Sequence, residues 1–238
     1  MDRLEATNNF SAVSANLAPR VKDISVMISR DGFAFIPELA SGAMTQSVVD
    51  QLGYVLKLGN GDPVHQIRPK REAAPNTYSG VYGLNAFPMH TDMAHWKVPP
   101  RYLVLRCVRG HHDVSTYLVH GATLVELVGK ASLARALVLP RRPLRGKLPL
   151  LALYTRRPHA GYFLRWDDKF IVPASPAGRQ GVDRVRQALE VVTPTCVTLA
   201  HPGDTLIIDN WKMLHGRSMV MENCADRIID RVYLGELH

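Results

Sequence analysis

Cysteine is scarce. Cys107, Cys196 and Cys224 are the only three in 238 residues, an odd number set far apart. That argues against a disulfide framework and for a reducing, cytoplasmic setting. No Cys-x-x-Cys pair occurs, so a structural zinc site built from thiolates is not expected. Long apolar runs are also missing, and about eighteen consecutive apolar residues would be needed for a membrane-spanning helix. The opening Met1-Asp2-Arg3-Leu4-Glu5 lacks the apolar core of a signal peptide. Aromatic residues make up only 7% of the chain. Their scarcity bears on the formal net charge of +8 and the isoelectric point of about 9.6. A single-strand nucleic-acid surface interleaves aromatics with its basic residues. Here Arg68-Pro69-Lys70-Arg71, Arg141-Arg142 and Arg156-Arg157 stand without an aromatic cluster, so a solvated basic surface is favoured over nucleic acid as a partner.

What is present is ordinary globular composition, 46% hydrophobic and 21% charged, in a chain long enough for one sizeable core. Residues 1–20 are polar and rich in Asn, Ser and Ala, and are expected to form a flexible arm before a single domain over 21–238. Apolar positions at Val48, Val49, Leu52, Val55 and Leu56 predict a helix from Met44 to Leu58. Similar spacing predicts helices over Thr123–Leu137 and Gln180–Val192. Short apolar or alternating runs at Phe33–Pro37, Val64–Arg68, Arg101–Arg109, Val114–Val119, Leu151–Thr155, Gly161–Trp166, Phe170–Val172, Thr195–Leu199, Thr205–Asp209 and Ile228–Leu234 predict strands. Many short strands with flanking helices indicate a mainly β chain, a jelly-roll (double-stranded β-helix, cupin-like) barrel. The polar stretch 69–80 reads as a loop at the rim of the site.

His90 and Asp92 are two residues apart, which on a strand puts both on one face. One imidazole and one carboxylate there supply two donors to a divalent metal. A second histidine from elsewhere completes a two-histidine, one-carboxylate set, which suits Fe(II) that must keep open positions. The downstream stretch Asp209-Asn210-Trp211-Lys212-Met213-Leu214-His215-Gly216-Arg217 offers that histidine. A third stretch, Asp226 to Leu234, places Arg227, Ile229, Arg231 and Tyr233 on one strand face.

His90-Thr91-Asp92, then Leu214-His215-Gly216-Arg217, then Arg227 and Arg231, occur in an order that resembles the Fe(II)/2-oxoglutarate-dependent dioxygenases of the taurine dioxygenase and clavaminate synthase group. The resemblance implies iron ligation by His90, Asp92 and His215, with 2-oxoglutarate and O2 as co-substrates and succinate and CO2 as products. It implies that Arg227, assisted by Thr116, grips the distal carboxylate of 2-oxoglutarate. It implies that Arg231 meets an anionic group of the substrate. The halogenating relatives carry a small residue where this chain has Asp92, so hydroxylation is expected ahead of desaturation or cyclisation, and halogenation is not. His95, Trp211 and Arg217 are further candidates for the substrate side, and Asp209 and Asn210 for support of His215. The expected substrate is a small polar, anionic or zwitterionic metabolite such as an amino acid. Alternatives stay open: ion pairs of Arg227 with Asp226 or Asp230, and of Arg231 with a protein carboxylate such as Asp167 or Asp168. At the level of function the rivals are an oxygenase directed at protein or nucleic acid, and a jelly-roll binding protein without turnover.

Overall fold

The computed structural model describes residues 21–238 except 60, 72, 73, 75, 76, 145, 159 and 160, so the expected arm over 1–20 lies outside the described residues. In chain order the elements are helix α1 over 21–31, β1 (Phe33–Ile36), α2 (Thr45–Leu52), β2 (Gly53–Val55), β3 (His65–Ile67), α3 (Tyr78–Tyr82), β4 (Phe87–His90), β5 (Tyr102–Arg109) and β6 (Ser115–His120). Then come α4 (Gly121–Val128), α5 (Lys130–Arg135), β7 (Leu137–Pro140), β8 (Leu151–Ala152), β9 (Tyr154–Arg157), β10 (Gly161–Leu164) and β11 (Ile171–Pro173). The chain closes with α6 (Pro176–Val191), β12 (Thr195–Thr198), β13 (Thr205–Asp209), β14 (Met213–Arg217) and β15 (Ile228–Leu237).

Two antiparallel sheets make the jelly-roll. The larger runs β1-β13-β5-β15-β2, with β3 also paired to β15; the smaller runs β12-β6-β14-β4. They are separate in hydrogen bonding among the described residues, so the expected barrel is a sandwich of facing sheets rather than a closed ring. Alternation along the strands decides the layers. Leu103, Ile229 and Tyr233 of the large sheet point inward and pack with Leu118, Val197 and Met213 of the small one. Val104, Val232 and Leu234 point outward, where Ile24 and Ile28 of α1 and Val48, Val49 and Leu52 of α2 cover them. The outer face of the small sheet, through Val119 and Leu214, is covered by Leu124, Leu133, Val182 and Val185 of α4, α5 and α6.

Several boundaries depart from expectation for local physical reasons. The helix expected over Met44–Leu58 stops at Leu52, because the chain then turns extended to pair with β15. At Gly53 a Cβ would lie 2.0 Å from the Glu236 carbonyl oxygen, so only glycine permits that approach. The single helix expected over Thr123–Leu137 breaks at Gly129 into α4 and α5, and Leu137 opens strand β7. Helix α1 and strand β14 were not foreshadowed by periodicity. β14 is a central strand, and its Met213-Leu214-His215-Gly216-Arg217 sequence is almost wholly buried, so it shows no alternation.

Candidate metal and co-substrate site

β14 lies between β6 and β4, and its pairing with β4 sets His215 opposite His90. The two imidazole ring centres are 4.3 Å apart. β14 comes so close to β4 here that a Cβ at Gly216 would stand 2.7 Å from the Phe87 carbonyl oxygen. The expected shared strand face of His90 and Asp92 ends early, because β4 stops at His90 and Asp92 sits in the following turn. Tertiary contacts bring Asp92 back. Its backbone N–H donates to Asn210 Oδ1 at 2.7 Å, and Asn210 Nδ2 donates to its carbonyl oxygen at 3.0 Å. Thr91 is tied to Trp166 by a backbone bond of 2.8 Å and a return bond from Trp166 N to Thr91 Oγ1 of 3.1 Å. Asn210 thus supports Asp92, not His215 as expected. Asp209, buried, accepts the Trp211 N–H at 3.1 Å and has Arg101 at 3.6 Å.

One donor atom from each of His90, Asp92 and His215 lies within 4.8 Å of the others, and all three residues are buried. His90 Nδ1 lies 3.0 Å from the Pro88 carbonyl and donates to it, which turns Nε2 toward Asp92. That Nε2 is 3.4 Å from Asp92 Oδ1, and His215 Nε2 is 3.8 Å from the same oxygen. Burial, then the neighbouring His90, lowers the His215 pKa and keeps its ring neutral. Burial opposes ionisation of Asp92, but the two histidines and Arg231 outweigh it and hold the carboxyl well below its usual range. Two imidazole nitrogens and a carboxylate oxygen converging on one point are a donor set that a divalent metal fits.

The triad opens onto a cavity of about 430 Å³ walled by both sheets. Thr116, Arg217 and Arg227 line it, as do Arg231, Arg68 and Tyr78. β15 begins one residue after Arg227 and shifts register between Ile228 and Ile229, yet Arg227 still reaches the cavity. It is 6% exposed, and its Nε has no partner. Burial first, and Arg217 second, lower its pKa to about 10. Neither alternative carboxylate takes it. Asp226 is engaged by His111 at 2.6 Å and Arg109 at 3.3 Å, and Asp230 accepts the Thr45 hydroxyl at 2.5 Å. Arg217 donates to the carbonyls of Asn85 at 2.6 Å and Gly83 at 3.2 Å, and pairs in register with Thr116.

Arg231 behaves differently from the expectation of an arginine without a protein partner. Its Nη1 is 3.9 Å from Asp92 Oδ2. Burial is the largest single effect and lowers its pKa, but Asp92, Tyr233 and Tyr78 together raise it. Asp167 and Asp168 are elsewhere. Asp167 accepts the backbone N–H groups of Lys169 and Phe170 and the Tyr78 hydroxyl, and Asp168 accepts Arg186 at 2.6 Å. Two further substrate-side candidates do not line the cavity. Trp211 donates its indole N–H to the Pro99 carbonyl at 2.9 Å and packs on Phe163. His95 is half-buried, with its ring 6.5 Å from that of Phe170. Two residues were not singled out in the sequence. Tyr78 lines the cavity from what read as a polar loop, with no local signal. Tyr233 donates to Asp92 Oδ2 at 2.7 Å, and its place on the face of Arg227 and Arg231 was the available clue.

No family model matches the chain. Clavaminate synthase 2 of Streptomyces clavuligerus is 29% identical over 192 residues, which is 75% of this chain and 58% of that protein, so the chain spans less than two thirds of its relative. Asparagine oxygenase, solved with Fe(II), 3-hydroxyasparagine and succinate, superposes with a TM-score of 0.68 at 17% identity, covering 98% of this chain and 84% of that one. The non-heme iron oxygenase OrfP, solved with Fe and α-ketoglutaric acid, gives 0.68 at 18% identity, covering 94% and 82%. PvcB, an iron- and α-ketoglutarate-dependent oxygenase, gives 0.65 at 18%, covering 90% and 79%. In sequence as in fold, the chain resembles the taurine dioxygenase and clavaminate synthase-like group of iron- and 2-oxoglutarate-dependent oxygenases.

Proposed function

We propose that this protein is an Fe(II)- and 2-oxoglutarate-dependent oxygenase that hydroxylates a small amino-acid-like substrate bearing an anionic group. The observation that carries the proposal is the convergence of the Nε2 atoms of His90 and His215 and one Asp92 carboxylate oxygen beside a cavity between the sheets. Fe(II) held there would supply the coupling of 2-oxoglutarate, O2 and a substrate C–H bond to succinate, CO2 and the hydroxylated product. His90, Asp92 and His215 would hold the metal and leave its other positions open. Arg227 would receive the distal carboxylate of 2-oxoglutarate, since a buried guanidinium with an unpartnered Nε can grip a carboxylate through two parallel bonds. Thr116, beside Arg217 in register, would add a hydroxyl donor to the same end. Arg231 would serve the substrate anion while also leaning on Asp92.

The size of the cavity suits a metabolite better than a folded macromolecule. Asparagine oxygenase is solved with hydroxyasparagine and OrfP with hydroxy-L-arginine and with L-canavanine, which supports an amino-acid substrate here. No helix among the described residues is long and apolar enough to cross a membrane. The free cysteines, with Cys107 and Cys224 buried, suit a reducing compartment. The test is succinate release from 2-oxoglutarate across a panel of L-amino acids, with and without added Fe(II). Iron-dependent succinate stimulated by one class of amino acid is expected. No succinate under any condition, with no metal bound, would sink the proposal.

A further inference from the structure

We infer that Tyr233, backed by Arg231, is a positioning residue that holds Asp92 as a one-oxygen metal donor and so keeps a coordination position free for the co-substrates. This rests on the metal-centre reading of His90, Asp92 and His215. A carboxylate has two equivalent oxygens, and only their surroundings distinguish them. In Asp92, Oδ1 faces the Nε2 atoms of His90 at 3.4 Å and His215 at 3.8 Å. Oδ2 accepts the Tyr233 hydroxyl at 2.7 Å and has Arg231 Nη1 at 3.9 Å. The backbone on either side of this carboxylate is pinned to Asn210, which fixes the point from which the side chain reaches the donor cluster.

Tyr233 is well placed for the task. It is 1% exposed, stands opposite Leu103 on β5, and belongs to the apolar layer between the sheets. A phenol buried in apolar packing needs a partner for its hydroxyl, and the one it has is Asp92 Oδ2. Iron held by two imidazoles and one carboxylate oxygen would keep positions for both oxygens of a keto acid and for O2. A carboxylate chelating through both oxygens would take one of those positions. By engaging Oδ2, the Tyr233 hydroxyl opposes chelation.

The test is an anaerobic titration of the full chain with Co(II), followed by 2-oxoglutarate, comparing wild type with Tyr233→Phe. Phenylalanine keeps the ring packing and removes only the donor. Co(II) visible absorption reports coordination number independently of turnover. Expected in Tyr233→Phe are a changed Co(II) spectrum and a 2-oxoglutarate affinity about tenfold weaker, with Co(II) affinity altered by less than that. The same spectrum and the same 2-oxoglutarate affinity in both proteins would overturn the inference. So would loss of Co(II) binding together with a collapsed Tm, because the hydroxyl would then serve the fold. Failure of wild type to bind Co(II), or full binding by His215→Ala, would instead bring down the metal-centre reading itself.

Discussion

Three buried arginines and one half-buried one divide into two pairs that look alike in sequence and differ in what they touch. Arg165 donates to the carbonyls of Ala94 and Trp96, both at 2.6 Å, of Ala152 at 2.8 Å and of Lys97 at 3.3 Å. Arg106 donates to the carbonyls of Leu39, Ala40 and Gly203 and to Thr205 Oγ1. Arg227 and Arg231 instead face the cavity, each with an Nε that has no partner. Burial lowers Arg165 and Arg227 alike, both to about 10. Burial is the main cause in both, and only one of them is compensated by the protein's own acceptors. A saturated buried guanidinium is a strut that holds backbone. An unsaturated one aimed into a cavity waits for an anion, because an unpaired buried charge is otherwise not tolerated.

The largest effects should fall at the cavity floor. His90→Ala, Asp92→Ala and His215→Ala are each expected to abolish Fe(II)-dependent succinate release while leaving circular dichroism and sheet content intact. Full turnover in any one of them with added iron removes that residue from the donor set. Next comes Arg227→Ala, expected to weaken 2-oxoglutarate by about 3–5 kcal/mol, roughly two to four orders of magnitude. If Arg231→Ala destroys the 2-oxoglutarate titration and Arg227→Ala leaves it alone, the two arginines exchange roles.

Arg165→Met sharpens the contrast from the other side. It removes the donor from four backbone carbonyls and should lower stability by about 2–3 kcal/mol, a fall of roughly 4–12 °C in Tm for a chain of this size. The protein that remains folded should titrate with 2-oxoglutarate almost as wild type does. A large loss of co-substrate affinity at unchanged Tm would erase the distinction between strut and anion receptor. Thr116→Ala is expected to cost about 1–3 kcal/mol in 2-oxoglutarate binding, one hydrogen bond to a charge, measured in the same titration. The smallest effect is chemical. Burial pushes the Cys107 thiol up to about 11, while Cys196 is exposed. Iodoacetamide at pH 8 should label Cys196 in the native protein and reach Cys107 only after unfolding, as mass spectrometry of peptides would show.

Much of this was legible in residue order. His90-Thr91-Asp92, His215-Gly216-Arg217 and Arg227 with Arg231 carried the metal-site and co-substrate expectations, and the alternation along β15 put Ile229, Arg231 and Tyr233 on one face. Local sequence determined those features because strand periodicity depends on nearest neighbours. Other features depended on contacts more than a hundred residues apart. Asp92 reaches the donor cluster from a turn because Asn210 binds its backbone, and no property of residues 90–92 reports that bond. Trp211, polar-tipped and close to His215 in sequence, is directed to the Pro99 carbonyl instead of the cavity. The division between Arg165 and Arg227 was likewise invisible in the chain. An arginine's side chain is the same everywhere, and which acceptors surround it is decided only when the two sheets close over one another.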